Sequence, residues 1–202
     1  MLDLSAETLF KQVRSTSPEE WTASGLGVVY VILIMRRHRW GWVAGGLSSL
    51  IFTVVFGRQH LPMQALLQFS YVVASVYGWC HWGQVAEQQR ITLWRWKGHV
   101  VAVLLSVLAS LVLAWLLGRE GYSAWPFLDS LLFCLGMFAT WLVARVYLEN
   151  WAYWIVIDGV SIFLCLSQGL VVPALLFCIY LAVAALGLRS WWHSYRAGGA
   201  PA

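Results

Sequence analysis

Four polar or aromatic side chains line one face of a predicted helix in the C-terminal half of the 202-residue chain. Asn150, Trp154 and Asp158 are four residues apart, and side chains at that spacing stack along one side of a helix. Ser161 extends the column. A carboxylate inside a bilayer costs about 3 kcal/mol on insertion scales and indicates a functional site by default. The alternative is that Asp158 only joins helices through hydrogen bonds.

A matching column lies in an earlier apolar segment and consists of Gln64, Gln68, Tyr71 and Ser75. Two amides four residues apart on a membrane helix indicate either a polar cavity or strong bonding between helices. The two columns together predict a pocket with amides and hydroxyls for hydrogen bonds, a carboxylate for positive charge and an indole face that attracts cations. The predicted ligand is a small aromatic cation or a nucleoside-like molecule.

The sequence contains none of the common catalytic motifs that would favour an enzyme over a binding site. The sequence contains no H-E-x-x-H, no G-x-x-x-x-G-K-[ST] and no G-x-S-x-G motif. Its five histidines are scattered near the ends of apolar segments, and its four cysteines lie within or at the edges of such segments. We therefore predict that the chain is not an enzyme and has neither a metal site nor a cofactor.

The composition indicates which elements must position the two columns. Apolar residues make up 60% of the chain and charged residues 11%, and the mean hydropathy is +0.70, whereas an ordinary soluble domain is about a quarter charged. This excludes a soluble globular protein. The basic residues fall in short runs between apolar segments, so they predict membrane topology rather than nucleic-acid binding. The sequence predicts an all-α protein that crosses the lipid bilayer several times.

Seven apolar runs are candidates for transmembrane helices, because one span takes about 20 residues. They are about Trp21–Met35, Gly41–Phe56, Leu61–Trp82, Val100–Leu117, Trp125–Leu148, Trp151–Ser167 and Val171–Leu188. Gly57 and Gly169 are predicted to end the second and sixth runs. The predicted domains are an N-terminal periplasmic or interfacial segment (1–18), a first three-helix bundle (19–82), a linker helix (98–118), a second three-helix bundle (124–189) and a cytoplasmic tail (190–202).

Lysine and arginine predict the orientation of these spans. With seven spans, one side of the membrane collects Arg36, Arg37, Arg39, Arg90, Arg95, Lys97, Arg145, Arg189 and Arg196, and the other collects Lys11, Arg14, Arg58 and Arg119. Basic residues accumulate on the cytoplasmic side. The nine-to-four split therefore predicts an N-terminus outside the cell and a C-terminus in the cytoplasm.

An internal repeat is predicted from residue types that recur along the chain. The predicted register matches Trp42 with Trp154, and it also joins Ser49 to Ser161, Gly57 to Gly169, Trp79 to Trp191 and His81 to His193. Two parallel bundles of three spans would then be joined by one linker span, with a site between them near the middle of the membrane. This architecture is typical of a transporter.

The segment Asn150-Trp151-Ala152-Tyr153-Trp154-Ile155-Val156-Ile157-Asp158 has the pattern N-W-x-x-W-x-x-x-D. It resembles the sixth-span motif of the Pnu vitamin transporters. Trp40-Gly41-Trp42, which opens the second span, and Tyr77-Gly78-Trp79-Cys80-His81-Trp82, which closes the third, support the resemblance. It extends from about Trp21 to Trp192, which is nearly the whole chain.

The resemblance implies a SWEET-like fold of three, one and three spans, a homotrimer and a place in the inner membrane of a bacterial cell. It implies uptake of nicotinamide riboside by facilitated diffusion, with trapping by a cytoplasmic kinase. The implied ligand contacts are Asn150 and Trp154, with Asp158 orienting its neighbours or offsetting positive charge. The remaining candidates for substrate binding are Trp151, Gln64, Gln68, Tyr71, Ser161, Trp42 and Tyr180, the last being the mid-span hydrogen-bonding group of the seventh run.

Two alternatives remain open at this point. Relatives carry thiamine or riboflavin on the same scaffold, and thiamine, like nicotinamide riboside, is an aromatic cation that the same pocket would attract. A second alternative is a membrane scaffold protein that transports nothing. In such a protein the polar columns would only bind helices together, and Trp154→Phe or Asp158→Asn would be tolerated.

Overall fold

A computed structural model describes residues 6–59, 62–82, 90–119 and 125–198. These residues form eight helices and one isolated bridge between Thr92 and Tyr147. The helices are α1 (Ala6–Ser15), α2 (Pro18–Met35), α3 (Trp40–Arg58), α4 (Pro62–Trp82), α5 (Trp96–Arg119), α6 (Pro126–Ala144), α7 (Asn150–Ser167) and α8 (Val171–Gly198).

The start of α2 shows why a helix begins where it does. The Ser17 hydroxyl accepts a hydrogen bond from the Glu20 amide at 3.2 Å, and the Glu20 carboxylate accepts one from the Ser17 amide at 2.7 Å. This capping box satisfies amides that have no partner inside the helix. Pro18 and Pro126 occupy the first positions of α2 and α6, where a missing amide hydrogen has no cost.

Five helices are long and apolar enough to cross a bilayer: α3, α5 through Leu116, α6, α7 and α8. The prediction of an all-helical, multi-pass membrane protein is therefore confirmed. Glu19 and Glu20 lower the mean hydropathy of α2, and Gln64 and Gln68 lower that of α4. Whether these two helices also span the membrane stays a prediction.

Most helix ends lie within a few residues of the predicted ones, with three differences. The fifth predicted run continues to Leu148, but α6 ends at Ala144 because Val146 adopts a left-handed conformation with φ of 58°. α8 continues to Gly198, so residues 190–198 of the predicted tail are helical. Gly169 follows α7 with φ of 74°, as expected for a stop, whereas α3 passes through Gly57.

The long helices pack as two groups of three. α2 and α4 pack against α3, and α6 and α8 pack against α7. The groups meet where α2 contacts α8 and where α4 contacts α6, while α5 packs on α6. We refer to α2–α4 and α6–α8 as the first and second bundles.

The two bundles repeat each other in a register that pairs Trp42 with Trp151, which corrects the predicted pairing of Trp42 with Trp154. Trp42 packs on Trp82 at 5.4 Å between ring centroids, and Trp151 packs on Trp191 at 5.5 Å, both edge to face. The same register pairs the two left-handed residues, Arg37 and Val146. We refer to this pairing of positions as the structural repeat.

Candidate functional site

The polar column of α7 faces the interior of the protein. Asn150 is 0% exposed, Asp158 3% and Ser161 8%, whereas Trp154 is partly buried against the core. The helical spacing therefore predicted the buried face correctly. An ionisable side chain on such a face needs polar partners, because burial without them is expensive.

Two tyrosines, one from each bundle, lie within electrostatic range of the carboxylate of Asp158. Tyr71 on α4 and Tyr180 on α8 both interact with Asp158 electrostatically. These two tyrosines occupy equivalent positions in the structural repeat. Tyr30 on α2 interacts electrostatically with both of them. The site thus lies where the bundles meet, and it combines one carboxylate with three phenol groups.

Glycines let the bundles approach each other at this level. A Cβ atom added at Gly136 of α6 would lie 2.5 Å from the hydroxyl oxygen of Tyr71 and 3.9 Å from Cη2 of Trp154. At the equivalent position of the first bundle, a Cβ atom on Gly27 would collide with the hydroxyl of Tyr180. The same arrangement therefore forms twice, and Trp154 borders one copy of it.

Asn150 has an unsatisfied acceptor at the start of α7. Its side-chain nitrogen donates to the carbonyl oxygen of Tyr147 at 2.6 Å. Its buried Oδ1 has no hydrogen-bond partner among the described residues. A buried acceptor without a donor costs about 1–3 kcal/mol, so a ligand hydroxyl or amide that reached it would be stabilised there.

Trp42 and Trp151, both predicted as ligand contacts, lie in the packed core. Each is 1% exposed. The Trp42 ring fills the space beside Gly78, and the Trp151 ring fills the space beside Gly187. Their ring faces are occupied by protein atoms in this conformation. Trp154 is the member of the motif whose ring borders the tyrosine site.

The four residues of the predicted column on α4 differ in burial and in depth along the helix. Ser75 is buried and Tyr71 and Gln68 are half-buried, whereas Gln64 is exposed near the start of the helix. Gln64 and Tyr71 are seven residues apart, about 10 Å along a helix. Tyr71 therefore lies within electrostatic range of Asp158, whereas Gln64 lies at a different depth.

Sequence reasoning missed Tyr30, Gly27 and Gly136. Tyr30 lies in an apolar run without polar neighbours at helical spacing, so no column indicated it. The signal for the glycines was present, because Gly27 and Gly136 recur at the same spacing as Tyr71 and Tyr180.

Within the described part of the chain, no group of His, Cys, Asp or Glu could hold a metal ion.

Comparison with known proteins agrees with a membrane transporter. A family model described as "Nicotinamide mononucleotide transporter" matches residues 17–193. The riboflavin/roseoflavin transporter RibM of Streptomyces davaonensis is 26% identical, over 87% of this chain and 85% of that protein. The nicotinamide riboside transporter PnuC of Escherichia coli is 28% identical, over 78% of each chain.

A solved structure has the same fold. The crystal structure of the vitamin B3 transporter PnuC superposes with a TM-score of 0.73 at 22% identity, covering 95% of this chain and 88% of that one. The similar proteins are transporters and not enzymes. The chain belongs to the nicotinamide mononucleotide transporter family and is a Pnu-type, multi-pass membrane transporter.

Proposed function

We propose that this transporter takes up nicotinamide riboside by facilitated diffusion through the interface between its two bundles. The observation that carries the proposal is the buried carboxylate of Asp158, which interacts electrostatically with Tyr71 of one bundle and Tyr180 of the other, with Trp154 one turn away on the same helix. In its ionised form, Asp158 would supply a negative charge to offset that of the pyridinium ring. The indole of Trp154 offers a π-face, and cations are attracted to such a face.

The remaining groups suit the polar parts of the same ligand. Nicotinamide riboside carries ribose hydroxyls and a carboxamide, which together donate and accept several hydrogen bonds. Tyr71, Tyr180 and Ser161 offer hydroxyls, and Asn150 offers an acceptor that lacks a donor. Gln68 on α4 is an additional amide contact in this proposal.

Riboflavin and thiamine are the competing ligands. Identity to the riboflavin transporter is close to that of the nicotinamide riboside transporter, 26% against 28%, so resemblance does not rank them. Charge ranks the two ligands, because riboflavin is neutral and would leave the charge of an ionised, buried carboxylate uncompensated. Thiamine is cationic and satisfies the same requirement, so it is the second candidate.

We further propose seven spans in a three-one-three, SWEET-like arrangement, a homotrimer, and a bacterial inner-membrane location. The N-terminus would lie outside and the C-terminus in the cytoplasm. Arg36 directly after α2, Arg145 directly after α6 and Arg196 in the last turn of α8 support this orientation, because positive charge accumulates on the cytoplasmic side. Phosphorylation by a cytoplasmic kinase would make uptake unidirectional, since the added phosphate gives the product a negative charge that the path would not accept.

Calorimetric titration of the purified protein with nicotinamide riboside, thiamine and riboflavin tests the substrate. We expect nicotinamide riboside to bind and Trp154→Ala to weaken binding about 5- to 150-fold, because stacking on an aromatic ring contributes about 1–3 kcal/mol. Trp96→Ala is the matched control, since Trp96 is 70% exposed. Binding of thiamine alone would assign the competitor, and binding of none of the three would reject the proposed substrate.

Proteoliposomes test the mode of transport. With labelled nicotinamide riboside outside, we expect equilibration in empty vesicles and accumulation only when a nicotinamide riboside kinase and ATP are enclosed. A protonophore should leave both results unchanged. Accumulation without kinase that stops on addition of the protonophore would contradict facilitated diffusion.

A further inference from the structure

A polar network holds the first turn of α7 from outside its own bundle. The carboxylate of Glu149, which immediately precedes α7, accepts a hydrogen bond from the Trp94 amide at 2.9 Å. The same oxygen lies 3.5 Å from Nε2 of His99 on α5. One carboxylate thus contacts both the segment that leads into the linker helix and the first turn of that helix.

The second ring nitrogen of His99 reaches the next turn of α7. Its Nδ1 lies 3.0 Å from the hydroxyl oxygen of Tyr153, and the two rings stack at 5.8 Å between centroids. The imidazole therefore lies beside Glu149, immediately before α7, and contacts Tyr153 within it. These positions directly precede Asn150 and Trp154, which the proposed function assigns to the ligand.

Aromatic side chains enclose this network. The rings of Trp94 and Phe138 lie edge to face against His99, at 4.9 and 6.2 Å between centroids. The side chains of His99 and Glu149 are only 20% and 25% exposed. Hydrogen bonds are stronger where water and its high dielectric constant are excluded, so the bond between His99 and Tyr153 can fix the orientation of a helix turn, with the Glu149 carboxylate an electrostatic neighbour of the ring.

We propose that His99 is a positioning residue for the ligand site. Through Glu149 and Tyr153, it sets the position of the first turn of α7 and therefore of Asn150 and Trp154. This inference rests on the proposed function for its effect on ligand binding. Its effect on the helix turn can be measured without any ligand.

The chain offers a matched control on another helix. His81 stacks on Tyr77 within α4, at 5.6 Å between centroids and 12° between the rings. That pair has the same chemistry but joins two turns of one helix. His81→Ala and Tyr77→Phe therefore report the effect of losing a stacked histidine or a phenol hydroxyl without loss of the link between α5 and α7.

The first experiment is hydrogen exchange on ligand-free protein in detergent. In His99→Ala we expect faster exchange of the Ala152 and Tyr153 amides, which bond to the Glu149 carbonyl oxygen at 3.0 and 3.3 Å. In His81→Ala these amides should exchange as in the wild type. Unchanged exchange in His99→Ala would overturn the inference, whatever the protein binds.

The second experiment measures affinity for nicotinamide riboside. We expect the Kd of His99→Ala and of Tyr153→Phe to rise by about fivefold, as for the loss of one hydrogen bond, and His99→Asn to recover part of the loss through Tyr153. The controls should bind as the wild type does. A wild-type protein that binds no nicotinamide riboside rejects the proposed function, whereas normal affinity in His99→Ala rejects the positioning role alone.

Discussion

Trp82 at the end of α4 donates its indole N–H to the backbone carbonyl oxygen of Ala144 at the end of α6, 3.0 Å away. This bond joins the first bundle to the second. Its equivalent runs in the opposite direction, from the indole of Trp191 on α8 to the carbonyl oxygen of Met35 on α2, at 2.9 Å. The two donors occupy equivalent positions in the structural repeat, as do the two acceptors. The same hydrogen bond between the bundles therefore occurs twice.

The first prediction is that Trp82→Phe and Trp191→Phe destabilise the protein by similar amounts. Each change removes one N–H and leaves a carbonyl oxygen, buried at Ala144 and partly buried at Met35, without its donor, which costs about 1–3 kcal/mol when the oxygen is buried. Titration of the purified protein with a denaturing detergent, followed by circular dichroism, measures the loss. Clearly unequal losses of stability would show that the two hydrogen bonds between the bundles differ in strength despite their matching geometry.

Trp42→Phe and Trp151→Phe are the controls for this experiment. Both residues are as deeply buried as Trp82 and Trp191, but their indole nitrogens have no hydrogen-bond partner among the described residues. Substitution by Phe thus removes ring volume and an unbonded N–H, but no hydrogen bond. We expect smaller losses than for Trp82→Phe and Trp191→Phe, and the difference measures the bonds between the bundles.

The second prediction concerns the close approach at Gly136. Gly136→Ala places a methyl group against the Tyr71 hydroxyl, and overpacking of this kind costs about 1–3 kcal/mol. Tyr71→Phe removes the oxygen atom, so the double variant should recover stability relative to Gly136→Ala. Gly159→Ala is the control, because an added Cβ there meets nothing within 4 Å. A double variant less stable than either single one would contradict the contact.

Composition and periodicity were sufficient to predict much of this fold. The apolar runs predict helices because an isolated segment can satisfy its own backbone hydrogen bonds in lipid only as a helix. The spacing of Asn150, Asp158 and Ser161 predicts a buried face, since residues at helical intervals share a side. Both inferences depend on local chain geometry, which the sequence determines directly.

Contacts between bundles were not predictable in the same way. A match of Trp42 with Trp154 is as good as one with Trp151 when only residue types are compared. The packing of Trp42 and Trp151 against Gly78 and Gly187 decides between them. The role of Tyr30 also depends on which helices meet in space, and a run of apolar residues contains no such information.

The third prediction separates charge from shape at Asp158. Asp158→Asn should weaken binding of nicotinamide riboside by about tenfold, which corresponds to about 1.4 kcal/mol, because the pyridinium loses its counter-charge. Binding of the reduced, uncharged dihydronicotinamide riboside should change little. Asp129→Asn, in the first turn of α6, is the control. Equal losses for the charged and uncharged ligands would assign Asp158 to helix packing instead.

The fourth prediction concerns Gln12, which fixes α1 to the turn between α7 and α8. Its Nε2 donates to the Gly169 carbonyl oxygen at 2.6 Å, and its Oε1 accepts from the amides of Val171 and Val172 at 2.9 and 3.3 Å. These two amides begin α8 and have no partner within the helix. Gln12→Ala should therefore speed their hydrogen exchange.

Gln12→Glu distinguishes the two halves of this contact. The carboxylate keeps the acceptor and gains about 0.3–1 kcal/mol from the positive end of α8, but it can no longer donate to Gly169. We expect Val171 and Val172 to remain protected in this variant while α1 itself exchanges faster than in the wild type. If both variants exposed the two amides equally, the amide side chain as a whole, and not its acceptor oxygen, would hold the start of α8.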